Sequence, residues 1–231
     1  MDFTKPDDSL IANQLDRFGY DSEQWQPVIK TMIDNVLNTP LDAKQPNLTL
    51  SQIGRDKRLN ELEFYYPLAR ITPSGLQKVF TDFGHDNLAP IAEEVSRLRF
   101  APVQGFMKGF MDMVFEYQGR YYLVDYKSNF LGNQPEDYAK DHLTEVMTQQ
   151  GYLLQYHIYT VALHRYLAAR LPDYQYDEHF GGIYYLFLRG MNQQWGTRFG
   201  IYRDKPTAEL IEKLSAYLSK AKALDSKTPQ S

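Results

Sequence analysis

Two aspartates and a lysine are notable for their setting. Asp125 and Lys127 form a D-x-K triplet at the end of GRYYLVDYK, and Asp112 lies upstream in GFMDMVFEY. Side chains alternate across a strand, so Asp125 and Lys127 share a face while Tyr126 points away. A lone D-x-K is usually a solvated surface. Here Asp125 follows Tyr121, Leu123 and Val124, and Asp112 is set among Phe110, Met111, Met113 and Val114. Charges inside such apolar strands are costly unless they are paired or bound to metal. Two carboxylates and an ammonium on paired strands suit a divalent hard cation with a water held beside it. Mg²⁺ would take two or three carboxylates and a backbone carbonyl, that of Tyr126 being well placed, and would clamp a scissile phosphate. Lys127 would orient the attacking water or offset charge in the transition state.

A third carboxylate comes from NELEF, where Glu61 and Glu63 alternate with Leu62 and Phe64 and so face one side. Periodicity alone does not choose between them. Gln155 and Tyr159 lie at i and i+4, one turn apart on a helix face. The plain reading is a half-exposed helix surface; the functional one is an amide and a phenol that contact DNA phosphates or pin the catalytic strand. The five histidines, His85, His142, His157, His164 and His179, show no close zinc spacing, although His157 and His164 are seven apart on one helix. They read as ordinary core or surface histidines. There is no P-loop, G-x-G-x-x-G or G-x-S-x-G motif. Arg55, Lys57 and Arg58 read as part of a solvated loop.

The elements that must position these groups follow from local pattern. Residues 109–127 form a β-hairpin about Gln118-Gly119. Residues 60–71 form a strand, and 182–188 a nearly all-apolar, buried one. Residues 7–18 and 22–38 are helices, the second capped by Asp21 and stopped at Thr39-Pro40. Residues 41–60 lack a period and read as a loop. Thr72-Pro73 opens a helix that ends at Gly84, and 87–98 form another short helix. Residues 128–138 are a Gly/Pro/Asn loop, 141–171 a long helix broken near Gly151, and 198–202 a short strand. Residues 207–224 are amphipathic, with Leu210, Ile211, Leu214 and Leu218 inward, and the last seven residues are frayed. No repeat or linker divides the chain, so one domain is expected over 1–231: a helical part at 1–59, a core at 60–203, and a terminal helix and tail at 204–231.

Composition narrows the classes. The 231 residues are 43% apolar, enough to build a substantial core. The absence of cysteine excludes disulfides and thiolate metal sites and fits a reducing compartment. No apolar run is long enough to span a bilayer, and MDFTKPDDSL is unlike a signal peptide. A net charge of -4 argues against autonomous tight DNA binding, though not against a nuclease to which a larger partner delivers DNA.

The string GFMDMVFEYQGRYYLVDYKSNFLG resembles the nuclease motif of the RecB C-terminal domain family, within the PD-(D/E)xK nuclease superfamily. NELEFYYPL resembles that family's upstream metal-binding segment, LQYHIYTVALHRYL its Q-x-x-x-Y helix, and HFGGIYYLFLRG its following core strand. The likeness runs through essentially the whole chain, and the strings DYKSN-x-LG and GG-x-x-YLFLRG are its most specific parts. It implies an α/β fold: a restriction-endonuclease-like core of αβββαβ type, with a central mixed β-sheet flanked by helices and N-terminal helical additions. It implies metal-ligand roles for Glu61, Asp112 and Asp125, with the Tyr126 carbonyl as a further ligand, and thereby sets Glu63 aside. Lys127 becomes the catalytic lysine, and Gln155 and Tyr159 the pair needed for activity. The implied cofactor is Mg²⁺, with Mn²⁺ or Ca²⁺ able to substitute.

The implied activity is hydrolysis of single-stranded DNA during double-strand-break repair, in the bacterial cytoplasm and at the nucleoid. The implied partners are the RecB helicase portion, RecC, RecD and RecA, the last loaded onto the processed strand, with no membrane involved. One departure stands out. The family carries a metal-binding histidine on a helix at the start of the domain, whereas no histidine precedes His85 here. MDFTKP resembles the sequence just after that helix, so the likeness implies an excised fragment with Met1 added. An alternative is therefore a RecA- or complex-docking module with an incomplete metal site. Glycoside hydrolysis by an acidic pair is a third reading, but it has no place for the lysine.

Overall fold

The computed structural model describes residues 7–84, 89–98 and 103–219. It is an α/β structure with a five-stranded mixed sheet flanked by helices, in the order β1-β2-β3-β4-β5. The strands are β1 (Arg58–Ile71), β2 (Val103–Tyr117), β3 (Arg120–Lys127), β4 (Phe180–Phe187) and β5 (Ile201–Asp204). β2 and β3 pair antiparallel, β3 and β4 parallel, and β4 and β5 antiparallel. A parallel pair requires a long crossover. It is supplied by α5 (Lys140–Gln149), α6 (Tyr152–Ala168) and the single-turn α7 (Tyr176–His179). This arrangement is that of a PD-(D/E)xK-like core.

The chain forms two compact units, each assembled from three stretches. The first comprises 1–62, 111–146 and 179–205. It begins with α1 (Asp8–Arg17) and α2 (Ser22–Asn38), whose N-caps Asp7 and Asp21 accept from the backbone N–H groups of the first turns. Its core joins Val36 and Leu37 of α2 to Met113, Phe115, Tyr122, Val124, Tyr184 and Leu186 from one face of the sheet. Leu41, Leu48, Leu50 and Ile53 fill the same core and are at most 3% exposed. The aperiodic stretch expected to be a loop is thus a packed segment, held by short turns that carry no helical or strand period. Arg58 is also buried and donates to the Ile53 carbonyl, and Lys57 pairs with Glu116, so this cluster is not simply solvated. Gln118 and Gly119 both have positive φ, 52° and 77°, which gives the β2–β3 turn the twist that a tight hairpin favours.

The second unit comprises 63–110, 147–178 and 206–231. Its helices are α3 (Pro73–Phe83), α4 (Ala89–Ser96), α6 and α8 (Ala208–Ser219). Leu76, Val79, Phe80, Ile91, Val95, Leu210, Ile211, Leu214 and Leu218 are all buried. Arg165 on α6 donates to the Ser215 hydroxyl and carbonyl at 3.0 and 2.7 Å, and its guanidinium covers the Tyr66 ring. The break between α5 and α6 falls at Gly151, whose φ of +72° a residue with a side chain adopts only with strain.

Several element bounds differ from expectation. β1 begins two residues earlier than expected, β2 reaches back to Val103, and the last strand is Ile201–Asp204, not 198–202. His85, residues 87–88, the opening MDFTKP and residues 220–231 lie outside the described residues.

Candidate functional site

The site begins where the β2–β3 ladder stops. Its paired register runs from Tyr117–Arg120 to Met113–Val124. At the next step stand Asp112 and Asp125. There the Asp112 carboxylate takes over from the ladder, accepting from the Tyr126 N–H at 2.8 Å. This bond fixes one carboxylate oxygen of Asp112 against the strand that carries the other acid.

On the other side β3 is locked to β4, with Asp125 opposite Tyr185 and Lys127 opposite Phe187. Strand alternation then presents Asp125, Lys127 and Tyr185 on one face. The Lys127 ammonium lies 2.5 Å from the Asp125 carboxylate and 5.0 Å from the centre of the Tyr185 ring. The two side chains are only 12% and 6% exposed. Burial pushes the Asp125 carboxyl above its ordinary value; Lys127 opposes that shift, and the nearby Asp112 charge adds to it. The result is a desolvated acid beside a second acid, partly neutralised by one amine. Tyr126 points the other way, its hydroxyl 3.9 Å from the Met113 sulfur, and burial raises the pKa of its phenol.

The two glutamates of β1 are in different circumstances. Glu63 pairs with Lys108 at 2.8 Å, both largely exposed. Glu61 has φ +52°, a left-handed conformation inside a strand. Strained backbone of this kind recurs at functional sites. Exposure still alternates along this stretch as expected, with Glu61 and Glu63 exposed, Leu62 half-buried and Phe64 buried. Among the described residues no three His, Cys, Asp or Glu side chains form a group that could hold a metal ion. The structure brings Asp112, Asp125 and Lys127 together.

Gln155 and Tyr159 are joined as the i, i+4 spacing predicts: the Gln155 amide donates to the Tyr159 hydroxyl at 3.0 Å. The Tyr159 ring packs edge-on against Phe64, 5.5 Å between centres. Gly109 makes room for that phenylalanine, since a Cβ there would lie 2.4 Å from the ring. His157 is buried with its Nδ1 2.8 Å from the Leu153 carbonyl, and His164 meets the Tyr174 hydroxyl at 3.3 Å. Tyr185, beneath the lysine, was not singled out from the sequence. GIYYLFL identifies its strand, but only the register with β3 reveals its position.

The donor set can be weighed for a cation. Asp112 and Asp125 offer hard oxygen ligands of the type Mg²⁺ takes, and a cation would relieve their mutual repulsion. The residues present fit in donor type.

No family model matches the chain. Curated relatives do. It is 40% identical over 213 residues to the RecBCD enzyme subunit RecB of Escherichia coli (strain K12), covering 91% of this chain and 17% of that protein. The RecB subunit of Haemophilus influenzae is 36% identical over 192 residues, 83% of this chain and 15% of that protein. That of Mycolicibacterium smegmatis is 36% identical over 249 residues, 96% of this chain and 22% of that protein. The chain thus spans about a sixth to a fifth of the length of these relatives. No helix among the described residues is long and apolar enough to cross a membrane. Matched over most of its length to one segment of subunits from distant bacteria, the chain belongs to the RecB family.

Proposed function

We propose that this chain is the Mg²⁺-dependent DNA nuclease module of a RecB-type helicase-nuclease, cleaving phosphodiester bonds of single strands during double-strand-break processing and recombination. The observation that carries this reading is the buried Asp125–Lys127 pair with Asp112 beside it at the open end of the β2–β3 ladder. The likeness to RecB subunits supports a nuclease and recombination role of the RecBCD type. RecC, RecD and the RecB helicase portion would be its partners, and RecA would be loaded onto the strand it leaves. Its place would be the bacterial cytoplasm, at the nucleoid during repair. The whole chain, 1–231, would act as one nuclease domain.

The cation would be held by Asp112, Asp125, Glu61 and the Tyr126 carbonyl. When bound there it supplies positive charge to the phosphate and lowers the pKa of a water; Mn²⁺ or Ca²⁺ would fit the same ligands. The chain's own groups do the rest. The Tyr126 N–H holds Asp112 in place. Lys127, anchored on Asp125 and over Tyr185, offers its ammonium to the attacking water or to the charge building on the phosphate. Gln155 and Tyr159, already bonded to each other, would contact DNA phosphates.

Linear and circular single-stranded DNA incubated with Mg²⁺ should be cleaved by the chain. Asp125→Ala and Lys127→Ala should each slow cleavage by about a hundredfold or more. Cleavage untouched by both changes would refute the assignment.

A second reading draws on the lack, among the described residues, of any group of three His, Cys, Asp or Glu side chains that could hold a metal ion: a docking module for RecA or the rest of its complex, with an incomplete metal site. Calorimetry with Mg²⁺ or Mn²⁺ separates the two. Heat of binding that disappears in Asp112→Asn supports the nuclease; no heat at millimolar metal supports the docking module.

A further inference from the structure

Two specific strings, DYKSN-x-LG and GG-x-x-YLFLRG, extend past the D-x-K triplet and the buried strand. In the structure they meet. β3 and β4 run parallel and end together, Lys127 opposite Phe187. Just beyond, the Arg189 Nε donates to the Ser128 carbonyl at 3.0 Å, one residue after Lys127. The carboxyl ends of adjacent parallel strands are where open α/β sheets place ligands. A cleft of about 230 Å³ lies there, lined by Phe130, Asn133, Gln134, Arg189 and Trp195 among others.

The walls of this cleft are built, not incidental. Tyr138 is buried; its hydroxyl accepts from the Leu131 N–H at 3.1 Å and its carbonyl from the Gly200 N–H at 2.9 Å. Gly190 lies so close to Tyr138 that a Cβ would sit 2.4 Å from it. Gly132, at φ +155°, is pressed on Asp137, where a Cβ would lie 1.9 Å from a carboxylate oxygen. The same Asp137 carboxylate accepts from the Gln134 N–H at 2.8 Å. Gly132 and Gly190, one from each string, are therefore needed to close the loop over Tyr138, and that closure forms the cleft.

The lining has the chemistry of a nucleotide. Phe130 is 63% exposed, and the Arg189 guanidinium lies 6.0 Å from its ring centre. Exposed aromatic rings stack on unpaired bases, and an arginine whose Nε is engaged keeps its Nη groups for a phosphate. Asn133 and Gln134 add amides that suit base edges. We propose that this cleft binds one nucleotide of the single strand next to the scissile phosphate, with Arg189 on a phosphate and the base against Phe130 or Trp195. This rests on the nuclease reading for its substrate, but it makes the cleft a subsite with its own binding signal.

The chain has two tryptophans, Trp25 and Trp195. Trp25→Phe leaves Trp195 as the reporter, so the full chain can be titrated with an eight-residue thymidine oligonucleotide in EDTA, where no cleavage occurs. Emission from Trp195 should change on binding. Phe130→Ala, an exposed site with little folding cost, should weaken binding about tenfold, within the range for one lost stack. Arg189→Lys should weaken it by a similar factor, and an abasic oligonucleotide should bind without the change in emission. In Mg²⁺, Phe130→Ala should raise KM and leave kcat within about twofold. A Trp195 signal that is absent, or equal midpoints for wild type and both variants, overturns the subsite. Cleavage that persists alongside such a result leaves the nuclease reading standing. Oligonucleotide binding that depends on Phe130 in a chain that never cleaves keeps the subsite and overturns the nuclease.

Discussion

Asp125 is a carboxyl that the fold makes reluctant to ionise. Its value lies above the ordinary 3.8, chiefly through burial, with Asp112 adding to the rise and Lys127 resisting it. Between 3.8 and that raised value the folded chain holds a proton the unfolded chain has released. The stability owed to this group is thus present at low pH and lost as pH rises through that window. Lys127→Met removes the amine and leaves the acid buried alone. It should cost about 3 kcal/mol at pH 7.5 and less near pH 4, as read by urea unfolding at both values. The pair Asp125→Asn/Lys127→Met removes both charges. It should abolish cleavage while unfolding at a urea concentration no lower than wild type, because a buried ion pair contributes little net stability. A double variant much less stable than wild type would show the pair to be a structural brace.

At the scale of elements, the helices of the second unit carry their own pH dependence. Glu94 of α4 is pushed up to about 7 by burial, and its Oε2 is buried with no hydrogen-bond partner among the described residues. Its contribution to stability should fall as pH rises from 4.5 to about 7, and Glu94→Gln should flatten the thermal midpoint over that range. Gly151, where α5 gives way to α6, offers a second check. Gly151→Ala forces a side chain into φ +72°, where it would also lie 3.4 Å from Glu94. A loss of roughly 1 kcal/mol or more is expected in denaturant unfolding. Gly190→Ala should distort the loop over Tyr138, and with it the emission of Trp195 more than the overall melting midpoint.

At the scale of the whole molecule, binding and stability are linked. A ligand that binds the folded chain alone raises its melting temperature in proportion to the logarithm of ligand over Kd. Mg²⁺ at 10 mM should raise the midpoint of the wild-type chain by a few degrees, and EDTA should reverse it. Asp112→Asn should erase the shift, while Glu63→Gln, which breaks only an exposed pair with Lys108, should retain it. Equal shifts in all three proteins would place the metal elsewhere. Because each unit is assembled from three separate stretches, neither can be excised as one peptide, and these measurements belong on the full chain.

Local pattern alone determined much of this protein. The two-residue strand period put Asp125 and Lys127 on one face. The turn residues at 118–119 closed the hairpin, Asp21 capped α2, and Gly151 broke the long helix. These features depend on neighbours within a few residues, where backbone sterics and hydrogen bonding act directly. The buried segment 41–53 was not legible, because its leucines have no period and acquire a role only against the sheet. Nor was the kink at Glu61, the ring of Tyr185 under Lys127, or the cleft where the loop after β3 meets the end of β4. The ring and the cleft are set by the pairing of strands some sixty residues apart, and a register between distant strands is fixed by packing of the whole sheet, which no single stretch of sequence encodes.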